Sequence, residues 1–149
     1  MKKIYFYTLL LGLLAFTACE DEKSPVMELQ KASAFESFSQ SDFTFNDENA
    51  AAEFPEIKWT AADYGVKAVV NYDVTLTNDA NAKTVLLGET GTTSLKFTNG
   101  QMNTMMAKVG AYPGQTYNFT ITLTSKAYDM TADPASNSIA FKAPLFDPN

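Results

Sequence analysis

From Asp42 onward, apolar and polar residues alternate with a period of two. Phe43 and Phe45 alternate with Asp42, Thr44 and Asn46, and Ile57 and Trp59 with Lys58 and Thr60. Val70, Tyr72, Val74 and Leu76 are separated by Asn71, Asp73 and Thr75. Leu95 and Phe97, then Tyr117, Phe119, Ile121 and Leu123, then Ile139 and Phe141 repeat the pattern. Successive side chains of a strand point to opposite faces, so each stretch predicts a strand with one dry and one wet face. Lys83 to Gly88 adds a less regular strand. Asn78-Asp79-Ala80-Asn81, Gly88-Glu89-Thr90-Gly91 and Pro113-Gly114 supply turns between them.

One segment changes period. Met102, Met105, Met106 and Val109 stand at i, i+3, i+4 and i+7, the spacing of a short helix near 101–109. Thr98 with Gln101 fits a capping box, and Gly110 fits the far end. The helix is read as a lid on one open end of the fold, and a Met-lined groove for a partner is the functional alternative. About seven strands and one helix predict an all-β, immunoglobulin/fibronectin-III-like antiparallel β-sandwich.

The front of the chain follows another logic. Lys2 and Lys3 precede an apolar run from Ile4 to Phe16, then Thr17, Ala18 and Cys19. This is the layout of an export signal, and the run is short for a membrane span, which needs about 20 residues. Phe16-Thr17-Ala18-Cys19 resembles a bacterial lipobox, in which the chain is cut before a lipidated cysteine. Residues 1–18 are therefore expected to be a lipoprotein signal peptide, and Cys19 the lipidation site. The acidic run Glu20-Asp21-Glu22 resembles the surface-export signal of Bacteroidetes lipoproteins. Residues 19–41 are expected to form the lipidated start and a flexible tether, and 42–149 the folded domain.

Composition excludes several chemistries. The formal net charge is −6, all basic residues are lysine, and there is one cysteine and no histidine. Losing Lys2 and Lys3 with the leader leaves the mature chain more acidic still. Without His or Arg there is no His-assisted nucleophile, no His metal ligand and no Arg clamp on phosphate. An acidic chain without arginine does not suit nucleic acid. A single cysteine forms no internal disulfide.

"IKWTAADYG" at 57–65, followed by "VNYDVTL", resembles the N-terminal domain of SusE-type outer-membrane lipoproteins of Bacteroidetes. "MNTMMAKVGAYPGQTYNFTITLTS" and "PASNSIAFKAP" resemble its helix and later strands. The resemblance implies a non-enzymatic lipoprotein, anchored in the outer membrane and facing the exterior. It also implies a starch or glycan uptake system, with a TonB-dependent importer and a polysaccharide as partners. In that family the glycan-binding domains follow this one, so the domain itself is expected to be an accessory or spacer. A stand-alone glycan-binding or adhesion module is the alternative.

Sugar binding needs an exposed aromatic face beside polar groups. Trp59 shares the dry face of its strand with Ile57 and is assigned to the core, and Tyr117 is read as pinning a corner. Tyr64, Tyr112 and Tyr128 fall in loops and are the candidate ligand-binding residues. Asp47-Glu48, Glu53-Glu56 and Asp129-Asp133 match neither a calcium loop nor a glycosidase pair and are read as solvated charge. No catalytic residue, metal or cofactor is expected.

Overall fold

The computed structural model describes residues 27–38, 40–127 and 135–148. The four longest strands form one antiparallel sheet. These are β2 (Val70–Asn78), β3 (Lys83–Thr90), β5 (Thr116–Ala127) and β6 (Ala135–Pro144), in the order β3-β2-β5-β6. Two short strands, β1 (Ile57–Lys58) and β4 (Ser94–Leu95), pair in a second antiparallel sheet. The expected all-β sandwich is what the chain forms.

Alternation decides which face is dry. On β5, Phe119, Ile121 and Leu123 are fully buried, while Asn118 and Lys126 are exposed. Val74 and Leu76 from β2, and Phe141 from β6, complete the inner face. Ile57 of β1, with Phe54 and Trp59 on either side of that strand, joins it in one core cluster. The outer face carries Thr75, Thr77, Thr120, Thr122 and Thr124, whose short β-branched side chains suit a half-wet pleated surface.

The helix forms a lid at one end, as the sequence predicts. It is α1 (Asn99–Lys108), with Met102, Met106 and Val109 fully buried. Gln101 N–H donates to Thr98 Oγ1 at 3.1 Å, and Thr98 N–H donates to Gln101 Oε1 at 2.8 Å, closing the expected capping box. Gly110 takes φ +82°, a left-handed conformation that glycine adopts without steric cost. A Cβ there would lie 2.8 Å from Asn81 Nδ2. Asn78 and Asn81 both donate to the Val109 carbonyl, at 3.2 and 2.9 Å, tying the helix end to the β2–β3 turn. Met102 and Met106 fill the core, and Met105 packs against it, so the helix methionines line no open groove among the described residues.

The expected tether boundary at residue 41 needs correction. Residues 31–38 and 40–43 form a strap that is part of the body. Lys31 pairs with Asp63 and Phe35 with Trp59, both antiparallel. Thr60 N–H donates to the Ala34 carbonyl and Glu36 N–H to the Lys58 carbonyl, each at 2.9 Å, keeping the same register. The strap then changes sheets. Lys142 N–H donates to the Ser41 carbonyl at 2.8 Å, and Phe43 N–H to the Lys142 carbonyl at 2.9 Å, in a parallel bridge to β6. Asp42 to Asn46, read from sequence as a strand, contributes only that bridge to a ladder.

Aromatic packing holds the crossover. The Phe38 ring stands edge-on to Phe43, Phe54 and Phe141, with centroids 5.9, 5.6 and 6.5 Å away. Such pairs contribute about 0.5–1.5 kcal/mol each beyond area burial.

Candidate functional site

Tyr64 and Tyr112, the two candidate tyrosines among the described residues, do not converge. Tyr64 is buried, at 2 % exposure, and its hydroxyl donates to the Ser125 carbonyl at 3.1 Å. A ring enclosed in this way offers no face to a sugar, so the expected exposure of Tyr64 is corrected. The loop carrying it is tied down: Asp63 N–H donates to the Lys31 carbonyl at 2.8 Å, and Gly65 N–H to Asp63 Oδ1 at 2.8 Å. Tyr112 is 68 % exposed. Tyr128, Cys19 and the Asp129-Asp133 pair lie outside the described residues.

The Tyr112 backbone is fixed although its ring is free. Its N–H donates to the Tyr117 hydroxyl at 3.2 Å, and that hydroxyl donates to Gln115 Oε1 at 3.1 Å. Tyr117 thus ties the turn ahead of β5, the corner-pinning role read from the sequence. Trp59 is buried at 3 % exposure, edge-on to Phe35 at 6.2 Å.

The carboxylates are dispersed. Glu56 pairs with Lys58 at 3.5 Å, and Asp47 and Glu48 open a short 3-10 turn. Among the described residues no three His, Cys, Asp or Glu side chains gather as a metal site. No described helix is long and apolar enough to cross a membrane. A shallow hollow of about 410 Å³ beside β6 is lined by Asp42, Asp79, Asn118 and Lys142. Asp79 Oδ1 accepts the Thr120 hydroxyl at 2.8 Å. Ala140 and Phe141 line it as well, but Phe141 is only 2 % exposed, so the hollow offers no open aromatic face.

The feature that bears on function is where the chain enters and leaves. The strap enters beside Asp63 and Tyr64, at the end of the sandwich where Val70 pairs with Ala127. β6 leaves at the other end, where Pro144 pairs with Thr116. Leu145 bridges Pro113 there, and Phe146 is held by the Asn103 side chain. The 12 residues of β5 run between the two ends. At about 3.4 Å per residue they separate entrance from exit by about 37 Å.

The described residues thus form a two-sheet all-β body whose entrance and exit lie at opposite ends. The SusE outer membrane protein family matches residues 20–124, and the chain belongs to that family. Its place is therefore the outer membrane. No curated protein and no solved structure matches the chain.

Proposed function

We propose that the chain is a non-enzymatic surface lipoprotein whose folded body is an accessory spacer of a Sus-type glycan-uptake system. The observation that carries this reading is the placement of entrance and exit at opposite ends, about 37 Å apart. A spacer needs that geometry, whereas a ligand module needs a built site. Cys19 is the proposed anchor, with two or more acyl chains holding the chain on the membrane. The 11 residues from 20 to 30 reach at most about 40 Å, whatever conformation they take. The spacer end with Asp63 and Tyr64 thus stays near the bilayer. A TonB-dependent importer is the proposed partner.

The test is made in cells. Cys19→Ala should abolish lipid labelling and release the protein from the membrane fraction. In intact cells the wild-type chain should be digested by added protease and recovered with the importer after cross-linking. Retention of Cys19→Ala in the membrane, or protection from protease, would overturn the reading.

A second reading, a stand-alone glycan-binding module, is favoured by one observation. Tyr112 presents its ring to solvent from a fixed loop. One ring without a cleft supports only millimolar affinity, by the roughly 4 kcal/mol that such affinity represents.

A further inference from the structure

The strap and β6 run in the same direction, and they carry the two ends of the described chain. The strap begins at the Asp63 end and reaches Ser41–Phe43 at the Thr116 end. β6 begins opposite Ser125 and leaves opposite Thr116. Tension between the two ends therefore pulls the strap one way and β6 the other. Neighbouring segments drawn along their own axes in opposite senses are sheared. Their cross-links are loaded together, not opened one at a time from an end.

The cross-links are distributed along the whole strap. Gln30 and Lys31 N–H donate to the Asp63 carbonyl at 2.7 and 3.0 Å, and Asp63 N–H donates to the Lys31 carbonyl. Ala34 and Glu36 bond Thr60 and Lys58, and Phe35 N–H donates to Asn137 Oδ1 at 2.9 Å. Ser41 and Phe43 bond Lys142. Phe35 against Trp59, and Phe38 against Phe54 and Phe141, must slide past their neighbours before the strap leaves. Forced unfolding is governed by the unfolding barrier and not by equilibrium stability.

We propose that the strap is a mechanical clamp, which makes the domain resist tension between its N-terminal side and its C-terminal strand. The use of such a clamp rests on the spacer reading, because an anchored domain bears load when its far end is pulled. The clamp itself does not, so pulling data and membrane placement fail separately.

The experiment stretches single molecules of residues 20–149 held at their two termini at constant force. Lys142 is exposed and its N–H faces the strap, so Lys142→Pro removes the bond to Ser41 at an edge strand, where proline is tolerated. Asn137→Ala removes the bond to Phe35 without altering a backbone. Met106→Ala opens a cavity in the helix, away from the strap, and serves as a stability control. Each strap variant should speed unfolding under load by about five- to tenfold, the factor one hydrogen bond carries. Met106→Ala should change that rate by less than about twofold while lowering equilibrium stability more. The strap should not detach before the rest. An early, low-force lengthening of about 60 Å, the length of residues 27–43, would overturn the clamp. So would unchanged rates in both strap variants, or Met106→Ala speeding unfolding as much as they do.

Discussion

The side-chain amide of Asn103 closes both backbone hydrogen bonds of Phe146. Its Nδ2 donates to the Phe146 carbonyl at 2.9 Å, and its Oδ1 accepts the Phe146 N–H at 3.1 Å. Asn103 lies on α1 and is itself buried, so the departing chain is docked on the lid. Asn103→Ala should cost about 1–3 kcal/mol, because two backbone groups and the site around them lose their partners. Urea unfolding measures the loss. Hydrogen exchange at Phe146 should rise further than at Phe119 in the sheet centre, and equal changes would mean that Asn103 stabilises the core and not the exit.

Tyr64 and Tyr112 should separate cleanly in mutants. Tyr64→Phe removes the hydrogen bond to the Ser125 carbonyl and should lower stability by about 1 kcal/mol. Tyr112→Ala should leave the thermal midpoint nearly unchanged, since the exposed ring packs on little. Neither variant, nor the wild type, should be retarded on starch or pullulan in affinity gels. Retardation of the wild type that Tyr112→Ala abolishes would put the glycan-binding reading first.

The strap yields a pair of opposite effects. Phe38→Ala should destabilise the domain by about 3 kcal/mol, the low end for a ring that is only partly buried. Ser33 is buried, and its hydroxyl has no partner among the described residues. Ser33→Ala should therefore be neutral or stabilising by up to about 1 kcal/mol. Thermal denaturation of both variants checks this. A loose tether would give no effect for either.

Lys126 donates to Asp73 Oδ2 at 2.8 Å across the exposed face of the sheet. That hydrogen bond, followed by the Asp73 charge, raises the Lys126 pKa above its ordinary 10.5. A raised folded-state pKa stabilises fully at pH below the ordinary value, and the contribution is lost as pH rises through the raised value. Wild type should lead Lys126→Met in thermal midpoint at pH 8, and the lead should shrink above pH 10.5. The Lys126 end of the pair is solvent-exposed, so the lead is small and 0.5 M salt should reduce it further.

Most of the fold was legible because it has one-sided strands. The alternation from Val70 to Leu76 and from Tyr117 to Leu123 appears as β2 and β5. Thr98 and Gln101 announced the helix start, since capping is local chemistry. The strap was not legible, although it also obeys a period of two. Its inward positions beside β1 are Ser33 and Phe35, a polar residue and a half-buried ring flanked by exposed Lys31, so the alternation is hidden. Tyr64 was misplaced for a related reason. Its burial depends on Ser125, a contact 61 residues away that no local pattern encodes. Cys19 is carried by its sequence neighbours alone.

The spacer reading is tested most directly by the height of each end above the membrane. Once Cys19 is acylated, a cysteine introduced elsewhere is the only free thiol in the chain. Leu29→Cys marks the entering end and Tyr112→Cys the lid end, and both positions are exposed. Each lipidated variant, labelled with a donor dye, is placed on vesicles carrying acceptor lipids, and energy transfer to the surface is measured. Strong transfer from position 29, and transfer from 112 weakened by an added distance of about 30–40 Å, is the expected result. Equal transfer from the two positions would mean that the domain lies flat on the bilayer, and would contradict its role as a spacer.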